Sequence, residues 1–183
     1  TNLHSGYVER GDIALVIDLP LYALNEPKVR SISGSIEYKD LVVDYFKPFP
    51  KITNVDGTAT FTHDRFDLIV TSGTLLDLDL DHGVINMTRL DTDNESVAID
   101  LVLRGPLATA LVLADRKPLL LLDGLGLDPA TVKGEMAARL ALDFPLRQDL
   151  HYSQVKVSSA ANLRGVGMNP GPFGFVLTDS NLK

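Results

Sequence analysis

The sequence predicts a mostly-β chain: an antiparallel meander of strands that builds one sheet with a single apolar face, interrupted by one or two short helices near residues 106–125. Three observations lead there. Apolar residues recur two apart over most of the chain, polar residues or alanines stand between them, and short turn-forming clusters separate the runs.

The alternation begins with Ile13, Leu15, Ile17 and Leu19, which share one face of a strand. It returns in Phe66, Leu68 and Val70, in Leu76, Leu78 and Leu80, and in Val97, Ile99, Leu101 and Leu103. Its longest run is Val132, Gly134, Met136, Ala138, Leu140, Leu142 and Phe144, with Lys133, Glu135, Arg139 and Asp143 on the other side. Asn54-Val55-Asp56-Gly57, Thr62-His63-Asp64-Arg65, Ser72-Gly73 and Asp81-His82-Gly83 read as turns short enough for hairpins. Sequential hairpins give an antiparallel meander, and a sheet with one apolar face needs a second sheet, a helix or a ligand to cover it.

Helical periodicity enters after Gly105-Pro106. Leu107, Ala110, Leu111 and Ala114 fall at i, i+3, i+4 and i+7, and Pro106 suits a first turn. Pro118 ends or kinks that helix, and a second short one is expected through Leu119–Leu125, stopped by Gly124 and Gly126. The chain thus divides into a strand-rich part to residue 104, a helical insert over 105–130 and a second strand series over 131–183. Gly165–Gly171 reads as a connecting loop before a strand pattern at Phe173, Phe175 and Leu177.

Composition narrows the function. Of 183 residues 45% are hydrophobic, which excludes a disordered tail, and the formal net charge is −7 with no cluster of cations. Phosphate binding by counterion release needs such clusters, so DNA and RNA are excluded as partners. With no cysteine there is neither a disulfide framework nor a thiolate metal site. The apolar tract around Leu107–Leu122 is broken by Asp115, Arg116, Lys117 and Pro118, short of the roughly 20 residues that span a bilayer. The start at Thr1 suggests a segment of a longer protein.

No catalytic or metal constellation emerges. Asp77, Asp79 and Asp81 alternate with Leu76, Leu78 and Leu80, so they line one face about 6.8 Å apart. That spacing is too wide for three carboxylates to converge on one Ca²⁺, whose ligands stand about 2.3–2.6 Å from the ion. The expected role of these aspartates is to keep a strand face wet. Asp91-Thr92-Asp93-Asn94-Glu95 reads as a polar hairpin turn, and the four histidines lack metal-ligand spacing. No serine sits in a nucleophile elbow, and no cofactor is expected.

Several phrases resemble those of the bacterial AsmA-like, YhdP-type family, in its central periplasmic region: Pro48–Ala59, Thr71-Ser72-Gly73, Gly83-Val84-Ile85, Gly105–Leu111 and Leu125–Gly134, with an echo at Phe175–Asp179. Together they span roughly residues 45–145. The resemblance implies a periplasmic part of an inner-membrane-anchored envelope protein, built as an elongated, curled β-sheet. It also implies a groove that moves phospholipid acyl chains between inner and outer membrane, without catalysis. Flanking segments of the same chain would then be partners, together with phospholipid or another acyl-chain ligand.

Under that reading the groove wall comprises Ile13, Leu15, Ile17, Phe66, Leu68, Val70, Leu76, Leu78, Leu80, Ile99, Leu101, Leu103, Met136, Leu140 and Leu142. The helices after Pro106 either plug or line the groove or simply cap the apolar face. The alternative for the same pattern is a structural or interaction module, a β-sandwich of a secreted or surface repeat protein. A carboxylate hydrolase would need a cleft and shifted carboxyl groups, for which the sequence gives no sign.

Overall fold

A computed structural model describes residues 3–19, 27–44, 49–116, 120, 122–147, 149–168 and 177–182. Among these residues nine strands follow in chain order: β1 (Leu3–Asp18), β2 (Lys28–Val43), β3 (Ile52–Thr62), β4 (Arg65–Leu75), β5 (Leu78–Thr88), β6 (Ser96–Pro106), β7 (Val132–Pro145), β8 (Lys156–Met168) and β9 (Leu177–Leu182). Each pairs antiparallel with the next, so spatial order equals sequence order in one curled, unclosed sheet. This is the predicted meander. Helix α1 (Leu107–Ala114) and a 3₁₀ turn at Pro129–Thr131 separate β6 from β7.

Cross-strand register converts the alternation into rows of side chains across the sheet. The first row runs Gly34, Phe61, Phe66, Met87, Val97, Phe144, and the second Ile36, Ala59, Leu68, Ile85, Ile99, Leu142, Val157. A third runs Tyr38, Gly57, Val70, Gly83, Leu101, Leu140. The fourth links Gly73, Leu80, Leu103 and Ala138. No charged residue stands in these rows. The opposite face carries the acids and cations, among them Asp67, Asp100, Arg139 and Asp143.

Large residues in these rows lie over glycines on the neighbouring strand. A Cβ at Gly34 would stand 2.6 Å from the Phe61 ring, one at Gly57 2.5 Å from the Tyr38 hydroxyl, and one at Gly83 2.8 Å from Leu101. At Gly57 it would also meet the Ile69 carbonyl oxygen at 2.0 Å. The glycines are sites of close approach, where strands bend and neighbouring side chains fill the space.

Three expected turns lie inside strands. Asn54–Gly57 falls in β3, Ser72-Gly73 in β4 and Asp81–Gly83 in β5. Each marks an irregularity instead. Register shifts occur around Asp56 in the β3–β4 ladder and between Leu80 and His82 in the β5–β6 ladder. Ser72 follows Thr71 as two exposed residues in succession before buried Gly73, so β4 changes phase there. The physical reason is shared chemistry: residues that tolerate φ > 0 serve a bulge as well as a turn. Asn54 has φ 53° and, across the ladder, Asp40 also has φ 53°. The Asp56 carboxylate accepts the Asp40 backbone N–H at 3.0 Å, which satisfies a donor that the kink would otherwise strand. Thr62–Arg65 is a turn as read, with His63 and Asp64 between β3 and β4, and Asp91–Glu95 lies in the hairpin connection between β5 and β6 as expected.

Two helix and loop expectations also change. α1 ends at Ala114, and residues 122–126 form turns rather than the second helix; 117–119 and 121 lie outside the described residues. Gly165 to Met168 belong to β8, whereas 169–176, with Phe173 and Phe175, lie outside the described residues.

The packed core sits toward one end of the sheet. Tyr38, Val55, Ala59, Val70, Leu75, Leu78, Leu80, Leu103, Val132, Met136 and Val166 join Leu107 and Leu113 of α1 in one buried cluster. Phe49 and Leu127 pack against it from the adjoining loops. Tyr38 is 1% exposed, and its hydroxyl donates to the Ile69 carbonyl of β4 at 3.1 Å, two strands away across Gly57. Burial, with a smaller contribution from the nearby Asp56 charge, pushes this phenol up to about 12.

The Tyr38→Phe variant leaves the Ile69 carbonyl without that donor and is expected to lose about 1–3 kcal/mol in denaturant unfolding. A raised phenol pKa stabilises the fold fully below the unfolded value of about 10, and that contribution drains away as pH climbs toward 12. Wild type should therefore lose stability over this alkaline window more steeply than Tyr38→Phe; equal slopes would show that Tyr38 is not the group titrating.

Candidate functional site

The apolar face divides lengthwise into a packed half and an uncovered half. At the α1 end, Val70, Leu78, Leu80, Leu103 and Met136 are 8% exposed or less. Toward the other ends of β4–β7, Phe66, Leu68, Ile85, Met87, Ile99, Leu101, Leu140, Leu142 and Phe144 are all only half-buried. Val97, opposite Met87 and Phe144, is the buried exception in that half. No second sheet packs on this face among the described residues.

α1, lying against β6 and β7, produces the asymmetry together with Phe49 and Leu127 of the adjoining loops. Its eight residues, Leu107–Ala114, carry no charged side chain, and Leu107 and Leu113 are buried while Ala110 and Leu111 pack on the core from a half-buried position. Pro106 opens the helix with extended dihedrals and no side-chain cap. A helix this short and uncapped gains little from its own hydrogen bonds, so its stability comes from the face it lies on. Of the two roles open at the sequence level, it caps one end of the apolar face.

The fifteen wall residues expected from sequence separate accordingly. Phe66, Leu68, Ile99, Leu101, Leu140 and Leu142 stand together, half-buried, in the less covered half, with Phe66, Leu68 and Leu101 packed against the edge of the core. Val70, Leu78, Leu80, Leu103 and Met136 are on the same face but inside the packed core, where no ligand reaches them. Ile13, Leu15 and Ile17 lie on β1, the first edge strand, and are 70%, 51% and 45% exposed. Ile13 is opposite Gly34 and so extends the first row.

Leu76 is a correction. It lies in the two-residue turn between β4 and β5, with φ 61° and 49% exposure, and not in a strand with Leu78 and Leu80. Leu75, one residue earlier, takes the inward position opposite Leu78. Strict alternation misled here because a two-residue turn pairs positions three apart, so the inward parity switches from odd at Gly73 and Leu75 to even at Leu78 and Leu80. The sequence-derived set also omits Phe61, Ile85, Met87, Val97 and Phe144, each of which the register places in the first two rows. Val97 and Phe144 do carry the strand alternation; Ile85 and Met87 escape because the irregularity at Asp81–His82 shifts their phase.

The carboxylate ladder dissolves in the same way. Asp77 is the second turn residue, Asp79 is exposed on the polar face, and Asp81 pairs with Arg104 of β6. The remaining polar face is laced with cross-strand pairs: Arg139 to Asp100 and Lys156 to Asp143 at 3.9 Å, both exposed, and the half-buried Asn86 to Asp67 at 2.6 Å. Hydrogen bonding from Arg139 lowers the Asp100 carboxyl, and that from Arg65 lowers Asp67. Such pairs contribute little each because water and salt screen them.

A shallow depression on this polar face, about 390 Å³, has Ala98 and Ala141 as its floor and Asn86, Asp100, Asp143 and Lys156 around it. Two alanines among longer side chains account for it. Among the described residues no group of three or more His, Asp or Glu is placed to hold a metal, and no helix is long and apolar enough to cross a membrane.

Comparison with protein-family models, with curated proteins and with solved structures gives no match for this chain. The residues therefore carry the functional reading alone.

Two variants check this placement. Leu76→Gly relieves a left-handed leucine and should raise stability by about 1 kcal/mol in thermal or denaturant unfolding; a loss would put Leu76 back in a packed role. The double variant Asp77→Asn, Asp79→Asn should stay within about 0.5 kcal/mol of wild type, and millimolar Ca²⁺ should leave the melting temperature of wild type unmoved.

Proposed function

We propose that the uncovered half of the apolar face is a non-enzymatic binding surface for acyl chains, and that the chain is a segment of a lipid-conducting protein of the AsmA-like kind. One observation carries this reading: a charge-free face, four strands wide from β4 to β7, is packed in the core that α1 joins at one end and left half-bare at the other. Monomeric proteins rarely leave apolar patches of this continuity uncovered without a partner for them.

The chemistry of the face favours hydrocarbon. Its rows offer aliphatic side chains, Phe61, Phe66, Phe144 and Met87, and no side-chain donor or acceptor that would orient a polar molecule. Each methylene withdrawn from water contributes about 0.8 kcal/mol, so ten give about 8 kcal/mol before the entropic cost of association. Binding of that kind holds a tail without fixing which strands it lies on, so it can pass across the sheet from strand to strand, as transfer between membranes requires. Because the sheet is unclosed, further strands added at β1 would extend the same face, which supports the role of flanking segments as partners. A periplasmic setting, in a protein anchored in the inner membrane, belongs to the same proposal and rests on the sequence resemblance.

The test is lipid capture. The protein, purified from a membrane-containing lysate, is extracted and analysed by mass spectrometry, and a photoreactive residue is placed at Leu101, Leu140 or Leu78. The proposal expects co-purifying phospholipid and crosslinks from Leu101 and Leu140, with none from Leu78, which is 1% exposed. It is overturned if no lipid is found and Leu101 and Leu140 crosslink only to protein. Leu140→Asp should abolish capture while the sheet, half-exposed at that position, stays folded.

A further inference from the structure

The two halves of the apolar face differ in a way that bears on which lipids fit. Along β7 the uncovered positions run from Ala138 to Phe144, six residue steps or about 20 Å. At the Ala138 end the fourth row meets the packed cluster under α1, with Leu103 opposite Ala138 and 8% exposed. At the Phe144 end nothing comparable caps the strands among the described residues; the β3–β4 turn, the β5–β6 loop and the chain after β7 stand there. One leaflet of a bilayer is about 15 Å of hydrocarbon, half of a core about 30 Å thick. The bare strip is therefore about one acyl chain long, measured along the strands.

Resting on the acyl-chain reading above, we propose that α1 is a length stop: a tail lies along β4–β7 with its methyl end against the α1-covered cluster and its head at the loop end. Leu113 and Ala138 are then the specificity-determining positions, one within the stop and one at its edge. The head would meet a rim of mixed sign, with His63, Arg89 and Arg147 interspersed with Asp64, Asp91 and Asp93. Such a rim selects against neither pole of a zwitterion, and a net charge of −7 disfavours anionic heads.

The stop has a distinct thermodynamic signature. A tail that lengthens over a uniform apolar wall gains affinity steadily, whereas a tail that reaches an obstacle gains nothing from further carbons. The full chain is titrated with single-tail phosphocholine lipids of graded length, each below its micelle concentration. Affinity should rise roughly tenfold for every two methylenes and then level off. Ala138→Phe, which adds bulk at a half-buried position on the strip, should move the plateau to shorter tails; Leu113→Ala, which hollows the stop, should move it to longer ones. Should Leu113→Ala not fold, Ala138→Phe alone decides.

Each outcome has a separate meaning. Absence of binding at every length overturns the acyl-chain reading itself. Affinity that climbs without a plateau, or a plateau that Ala138→Phe leaves in place, overturns the length stop and leaves the acyl-chain reading standing.

Discussion

A single sheet cannot bury its own apolar face. Every other feature of this molecule answers to that constraint, because the alternation that makes the strands also commits most of the large aliphatic and aromatic side chains of β2–β7 to one side, Ile69, Val84 and Val102 excepted. The rows across β2–β7, beginning Gly34–Phe61–Phe66 and Ile36–Ala59–Leu68, are the result. Their far ends remain short of cover, since the one α-helix among the described residues, α1, is eight residues long and reaches only the end where Leu107 and Leu113 join the core.

Glycines and bulges shape the face before the helix covers it. Phe61 over Gly34, Tyr38 over Gly57 and Leu101 over Gly83 let bulky groups lie close to a neighbouring backbone, which favours bending of the sheet at those points. The irregularities at Asn54–Gly57 and Asp81–Gly83 add to that bend and reset the phase of β3 and β5, so that Val55 and Ile85 still point with the rest. Tyr38 fastens the arrangement by reaching the Ile69 carbonyl, which links β2 to β4 over the narrow place in β3. The acids and cations of the other face pair along exposed ladders and contribute solubility more than stability.

Much of this was legible in the amino-acid sequence, and the illegible remainder has a common cause. The meander, the single apolar face and the helix after Pro106 all follow from local periodicity. Periodicity is blind to what lies across a ladder: Asn54–Gly57 and Asp81–Gly83 have the composition of turns, and only the pairing of Tyr38 with Gly57 or Leu80 with Leu103 reveals that the strand continues through them. Leu76 erred in the opposite sense, being a turn residue with a strand residue's side chain. Within the candidate wall, alternation correctly put Leu78, Leu80 and Leu101 on one face, but their difference in access depends on where α1 folds back, which is a tertiary fact. Phe66, Leu68, Ile99, Leu101, Leu140 and Leu142 are the part of the expected site that remains reachable.

The central claim is that hydrocarbon occupies the bare half of this face, and the paired crosslinking positions address it most directly. A photoreactive group at Leu140 is predicted to capture lipid, while the same group at Leu78, on the same face but under the packed end, captures none. Equal capture at both sites, or protein adducts alone at Leu140, would contradict the account, because then the boundary set by α1 would not divide lipid from core.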